Sequence, residues 1–468
     1  MSTPFRPTPH RAALFLALLA PTFHAAESAQ FPVAVSANHR HLVDRTGTPF
    51  FVHGDTAWSL IAAPTTEVAE RYLSDRQRHG INAIIVNLIE HKAAPHAPKN
   101  SLGDAPFTTA GDFSTPNEAY FHHADEILRL AAAKGILVFL FPCYWGYDGK
   151  DEGFWVDLIA NSPTACRDYG RFLGQRYKDF TNIVWVSGGD FSPPDDAPGV
   201  TRALEILRGI KDRDPTTLHT FHGKRSRNAS DHAPFVPYLD LDAVYTGDEI
   251  GKGAPDEPYR LTRRAYNRAD FKPAFVIESR YEMFTRRAPE ETRIVSRPRV
   301  RRQPYCATLS GAMGNFFGNE IVWRFRPGWD GPSGLGSPGN ADFTHFGEAF
   351  ASRAWHRLVP DQEHRTVVAN YGTLGQLDYV TAARAADGSL VMAYVPPTGT
   401  EPRTITIDLT RLNGKILASW FNPASGAYVP IAGSPFANVG NREFTTSGDN
   451  GSGANDWLLI LETWPRTP

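Results

Sequence analysis

Cysteine is scarce in this chain, with only Cys143, Cys166 and Cys306 among 468 residues. An odd set cannot pair completely within one molecule, and no C-x-x-C spacing occurs, so neither a disulfide framework nor a zinc or dithiol redox centre is indicated. The three read as buried thiols. An excess of either charge is missing too, since 48 Lys and Arg offset 50 Asp and Glu. That balance leaves no polybasic footprint for nucleic acid or an anionic membrane surface, and no nucleic-acid partner is expected. Beyond residue 30 no apolar run approaches the ~20 residues of a membrane-spanning helix. The G-x-S-x-G nucleophile elbow, the phosphate-binding Gly-rich loop and the dinucleotide fingerprint are all missing from a supporting context, so no cofactor is expected. No solenoid-period repeat or long low-complexity tract is present.

Aromatic residues, by contrast, are plentiful: 10 Trp, 16 Tyr and 29 Phe. Flat apolar rings suit sugar faces and protein cores alike. At the N-terminus Arg6, His10 and Arg11 precede the apolar run Ala12 to Leu19, then Pro21 and small residues around Ala25 to Ala29. This is the pattern of an export signal over 1–28, and the mature protein is expected in the periplasm or outside the cell, without a membrane span.

From 30 to 358, short apolar runs alternate with amphipathic stretches, as βα units around a parallel sheet require. The runs are Phe50–Gly54, Ala83–Leu88, Leu137–Pro142, Ile183–Ser187, Leu218–His222, Asp242–Thr246, Ala274–Glu278 and Gly314–Phe317. They supply the strands of a (β/α)₈ barrel, the α/β class also being open to a doubly wound sheet on this alternation. Ala124, Ile127, Leu128 and Ala131, then Tyr169, Phe172, Leu173 and Tyr177, then Ala203, Leu207 and Ile210, recur at helical spacing. A last helix is expected over Thr344 to Leu358, after a loop rich in Gly and Pro from Gly328 to Asn340. Past Leu358-Val359-Pro360-Asp361 the pattern changes to short alternating runs such as Leu390–Val395, Thr404–Leu409, Ile416–Phe421 and Trp457–Leu461. Residues 359–468 are therefore expected to form an all-β sandwich.

Barrel enzymes work at the C-terminal ends of their strands, so the polar residues after each run are the candidates. These are His53, Asp55 and Trp58; Asn87 and Glu90; Tyr144 and Trp145; Asp190; His219 and His222; Tyr245 and Asp248; Glu278, Arg280, Tyr281 and Glu282; and Asn319, Glu320 and Trp323. Gly188-Gly189 ahead of Asp190 makes a tight turn whether or not the aspartate has a role. Glu278 ends a wholly apolar strand, where burying a carboxylate without a partner or a task costs several kcal/mol; Arg280 is a possible structural partner. Asp55, Trp58, Asn87, Trp145, His222, Tyr245, Arg280, Tyr281 and Trp323 are the expected substrate contacts, the tryptophans by stacking on sugar rings. His53-Gly54-Asp55 lacks the H-x-H spacing usual on a first barrel strand, and no downstream His run completes a ligand set, so no metal site is expected.

Taken together, Phe51 to Trp58 (FVHGDTAW), Asn87 to His91 (NLIEH), Phe113 to Phe121 (FSTPNEAYF), the Gly188-Gly189-Asp190 turn and Ile277 to Glu282 (IESRYE) resemble the apiosidase-like proteins of glycoside hydrolase family 140. The tail, through Trp420-Phe421-Asn422-Pro423 to Asp456-Trp457, resembles the module named for collagen binding that follows this domain. The resemblance covers nearly the whole mature chain. It implies a barrel hydrolase that removes apiose from a pectic side chain, with catalytic carboxylates at the ends of strands four and seven. By motif these are Asp190, as general acid/base, and Glu278, as nucleophile. Asn319-Glu320 departs from the family pattern, which has a second uncharged residue there, and places the sugar subsite in question. Two other functions compete: a non-catalytic carbohydrate-binding protein on a degenerate barrel, which would have lost a strand-end carboxylate, and a metal-dependent barrel hydrolase, which a chelator would inactivate.

Overall fold

The structure is a computed structural model that describes residues 31–247, 257–283 and 295–464. The stretch expected to be an export signal, and Asp248, lie outside the described residues. Eight parallel strands form the first domain: β1 (Val52–Thr56), β2 (Ala83–Asn87), β3 (Leu137–Phe141), β4 (Ile183–Gly188), β5 (His219–His222), β6 (Asp242–Tyr245), β7 (Ala274–Glu278) and β8 (Ala312–Phe317). Their order is β5-β4-β3-β2-β1-β8-β7-β6, so β1 lies beside β8 and the sheet curls on itself. The seam between β5 and β6 closes through the residues just before β6. Asp240 N donates to His219 O at 2.9 Å, and Thr220 Oγ1 donates to Leu241 O at 3.0 Å. This ring decides for the barrel over the open sheet.

Both faces of the strands are covered, which is why their sequences read as unbroken apolar runs and not as alternations. Phe139, Phe275 and Phe316, from three different strands, meet inside the barrel with ring centroids 5.0–6.0 Å apart. Gly54 faces the same interior, where a Cβ would fall 2.3 Å from the Phe316 ring. Helices surround the strands and start at recognisable caps. Asn117 caps α2 (Glu118–Ala133), and Ser162 followed by Pro163 caps α4 (Pro163–Tyr177); each side-chain oxygen accepts an N–H that the helix leaves unpaired. Helix α1 (Thr66–Arg78) follows β1, α3 (Trp155–Ala160) precedes α4, and α5 (Pro198–Arg213), α6 (Glu257–Tyr266) and α7 (Arg297–Thr308) complete the layer up to β8. The last helix, α8, runs from Pro338 to Ala351, not from Thr344 to Leu358. Ser337-Pro338 is its cap, a start signal hidden by the Gly- and Pro-rich composition around it.

The remainder is all β. Leu358–Pro360, Thr381–Ala385, Leu390–Val395, Trp457–Trp464, Lys415–Phe421 and Tyr428–Pro430 form one antiparallel sheet in that order, and Val367–Ala369, Thr404–Asp408 and Asn441–Thr445 a second. Val391, Ile405, Ile407, Ile416 and Leu459 pack together between them. The opposite face of the larger sheet joins the barrel's own core: Tyr394 stacks on Tyr305 of α7 at 4.7 Å. Around that stack Arg301 of α7 donates to Asp342 of α8 at 3.0 Å and to Asp456 at 2.5 and 2.8 Å, and Tyr394 Oη donates to Asp456 at 2.8 Å. Arg301, Asp342 and Asp456 are all buried. All three cysteines are buried.

Candidate active site

At the C-terminal end of the barrel lies a cavity of about 440 Å³. Glu278 reaches it because β7 ends there; its Oε2 accepts a hydrogen bond from Nε2 of His222, the last residue of β5, at 2.9 Å. His222 is wholly buried, which works against an imidazolium, but the hydrogen bond and charge of Glu278 outweigh burial and hold its pKa above the ordinary value. Asp190 arrives from the end of β4. Gly188, at φ +100°, lies so close to β5 that a Cβ would sit 2.2 Å from His222 O, and the Gly189 N–H donates to that same oxygen at 2.9 Å. The glycines thus press the turn against β5 and aim Asp190 into the cavity that Glu278 also lines. Burial, and then the negative charge of Glu278, push the Asp190 carboxyl up to about 6, against the opposing pull of His222 and Arg225.

The walls are aromatic and polar. Trp58 Nε1 donates to Tyr281 Oη at 2.7 Å, and the Trp58 ring lies 5.4 Å from that of Tyr144. Tyr245, the last residue of β6, sits with the Arg225 guanidinium 5.7 Å over its ring. Trp323 donates to Glu320 at 3.3 Å, and the Arg324 guanidinium stacks 3.9 Å over its ring. Glu90 and Glu152 add two carboxyl groups to the lining. Burial raises both, and takes Glu90 to about 7.

Residues 36–357 match the family described as "Apiosidase-like, catalytic domain", and residues 359–462 the one described as "Putative collagen-binding domain of a collagenase". The chain belongs to the apiosidase-like family. A search of curated proteins gave no match. Among solved structures, a protein described as a glycoside hydrolase superposes with TM-score 0.78 at 24% identity, over 93% of this chain and 98% of that one. A family 5 glycoside hydrolase from Bacteroides vulgatus superposes with TM-score 0.77 at 22% identity, over 93% of each chain. Both share the two-domain fold.

In this apiosidase-like glycoside hydrolase the cavity brings together Trp58, Asn87, Asp190, Tyr245, Glu278, Arg280, Tyr281 and Trp323 of the residues expected from sequence. His222 stands behind Glu278 and not at the cavity surface. Two further expectations are corrected. Asp55 does not face the cavity: Gly54 points into the barrel, so its neighbour on the strand points outward, where Asp55 pairs with Tyr72 at 2.8 Å and Arg76 at 3.3 Å, both on α1. Trp145 is buried against Trp155, Phe221 and Phe235, at 5.1, 5.4 and 5.9 Å. Of the consecutive aromatics Tyr144 and Trp145, the first takes the cavity side and the second the helical layer. His53 is also structural, its ring nitrogens 2.9 Å from Gly80 O and 2.8 Å from Phe343 O. Among the described residues no cluster of three or more His, Cys, Asp or Glu has metal-binding geometry.

Tyr147, Glu152, Arg225 and Arg324 line the cavity unforeseen. They sit in loops beyond the strand-end positions, and only the glycines bracketing Glu152, Gly149 and Gly153, marked that stretch as special. Glu282 proves to be a support. Its Oε2 accepts from Ser337 Oγ at 2.5 Å and Asn319 Nδ2 at 3.1 Å, and its Oε1 from Gly339 N at 2.8 Å. One buried carboxylate therefore ties the N-terminus of α8 to the loop that carries Glu320, Trp323 and Arg324. Replacing Glu282 by Ala should cost about 2–4 kcal/mol in urea unfolding, since hydrogen bonds to a charged group contribute ~1.5–3 kcal/mol and their donors would be left buried. KM should rise more than kcat falls. An unchanged unfolding midpoint would show that the loop is held by something else.

Proposed function

We propose that this glycoside hydrolase is an exported, retaining enzyme that removes apiose or a closely similar sugar from the side chains of plant-type polysaccharides. The observation that carries the reading is the pairing, in one cavity, of Asp190 with a raised pKa and Glu278 gripped by His222. The two carboxyl groups are asymmetric, as acid and nucleophile must be. Asp190, protonated in mildly acidic solution, gives its proton to the leaving glycosidic oxygen. Glu278, oriented by His222, attacks the anomeric carbon as that bond breaks, through an oxocarbenium-like transition state. Asp190, now ionised, takes a proton from water, whose oxygen displaces Glu278 and regenerates both groups. Trp58 and Trp323 offer apolar faces to the sugar ring. The family membership supports the apiose assignment, and the presence of both carboxylates speaks against a degenerate, binding-only barrel.

The test is hydrolysis of an aryl apioside and of apiosylated pectic oligosaccharides, with the first-formed anomer followed by NMR. Retention is expected; inversion would remove Glu278 as nucleophile, and inertness toward every apioside would remove the substrate. The same assay gives a pH profile. Because Asp190 must carry its proton, kcat/KM should fall as pH rises through about 6. The sign for stability follows from the same shift. A raised carboxyl pKa means that the fold is favoured most below the ordinary value of 3.8 and loses stability as pH climbs to about 6. Asp190→Asn should therefore melt higher than the wild type at pH 7, by on the order of 1–3 kcal/mol, despite its lost activity. A lower melting temperature would contradict the buried, disfavoured anion.

A further inference from the structure

We infer that Asn87 and Glu90 form a paired-acceptor subsite that reads two adjacent hydroxyl groups of the sugar being removed, so that the site selects sugars with an intact vicinal diol. The inference rests on reading the cavity as a glycosidase site and says which feature of the substrate it recognises. Asn87 ends β2 and Glu90 follows within one turn of chain. The stretch is rigid: Asn87 N donates to Trp58 O and Leu88 N to Phe141 O, each at 2.9 Å. Both side chains are more than nine-tenths buried and both line the cavity. Among the described residues neither Asn87 Oδ1 nor Glu90 Oε2 has a partner in hydrogen-bonding geometry, although Ser59, Asn87 and the Ala93 amide stand near the Glu90 carboxyl.

An unsatisfied buried acceptor costs about 1–3 kcal/mol, and two on one wall of a ligand cavity call for two donors arriving together. Arg225, Arg280 and Arg324 line the same cavity and offset its acidic groups, Glu90, Glu152, Asp190, Glu278 and Glu320, so the donors need not be charged. Two neighbouring sugar hydroxyls meet the requirement, with Trp58 beside them for the ring's apolar face. The Asp190–Glu278 pair does not use either residue. The groups that face Glu90 are Glu152, which adds to its raised pKa, and Ser59, Asn87 and the Ala93 amide, which oppose it, with Tyr120 of α2 behind. Hydroxyl donors favour the ionised carboxylate, so sugar binding at pH 7 should release protons from Glu90.

The experiment compares full-length wild type, Glu90→Gln and Asn87→Ala. Their kcat/KM is measured on an aryl apioside and its two singly deoxygenated analogues, and apiose is titrated calorimetrically at pH 7 in buffers of different ionisation enthalpy. The wild type should prefer the intact glycoside at least ~100-fold, as expected when a site built to bond a hydroxyl meets an analogue lacking it. Each variant should lose tenfold or more of that preference, mainly through KM, and Glu90→Gln should abolish the buffer dependence. Thermal melts check that both variants are folded. Equal discrimination in folded variants and wild type, or none in the wild type, overturns the subsite while leaving the glycosidase reading intact. Absence of both turnover and binding for every sugar overturns the glycosidase reading and the subsite with it.

Discussion

Turnover of every glycoside should fall at least ~10⁴-fold when Glu278 is replaced by Gln, whatever the leaving group. The amide is nearly isosteric and can still bond to His222, but it cannot attack the anomeric carbon, and loss of a nucleophile removes the route itself. Asp190→Asn should behave differently. On a natural glycoside it loses the ~10²–10⁴-fold that a positioned acid contributes, yet aryl glycosides with good leaving groups need no proton and should still form the glycosyl-enzyme. Azide, which needs no general base, should then rescue its breakdown and yield a glycosyl azide of retained configuration. Near-normal activity of either variant on a natural glycoside would refute the pairing.

The second large effect is expected far from the cavity. Arg301→Ala should destabilise the protein by about 3–5 kcal/mol, because it takes from the buried Asp456 carboxylate the guanidinium that pairs with it, while Asp342 keeps Arg297. Urea unfolding followed by tryptophan fluorescence should show a lower midpoint, and the β domain separating from the barrel as a distinct step. Cutting the chain at Asp361 tests the same junction from the other side. Among the described residues none that lines the cavity lies beyond Arg324, so the chemistry should persist while the uncovered face around Tyr305 lowers solubility. An Arg301→Ala protein that unfolds like the wild type would assign the junction's strength to the Tyr305–Tyr394 packing alone.

The barrel strands could be read from sequence because a strand buried on both faces must be apolar throughout, and all eight fall within two residues of the runs that announce them. The same continuity concealed which residues face inward. An unbroken run carries no phase, so Asp55 was expected at the site although the Gly54–Phe316 contact turns it toward α1. Asp190 and Glu278 were legible because strand ends have fixed positions relative to the barrel mouth. Glu152, Arg225 and Arg324 were not, because loops of this length obey no periodicity and fold back by tertiary contacts alone. The start of α8 was missed for a related reason: its capping serine lies in a stretch whose glycines and prolines speak for a loop.

One residue touches both sides of the candidate pair. The carbonyl of His222 receives the Gly189 amide, while its imidazole holds Glu278. The turn that carries Asp190 and the side chain of Glu278 are thus hydrogen-bonded to opposite ends of a single amino acid, like two jaws on one rivet. The loop bearing Glu152 shares in this fastening, Trp145 N donating to Gly188 O at 3.1 Å and Asp148 N to Asp190 O at 3.2 Å, whereas the loop bearing Trp323 and Arg324 is anchored elsewhere, through Asn319 and Glu282. That second loop is the place to lengthen, exchange or recode, in nature or by a designer seeking a new substrate, while the first has to be kept.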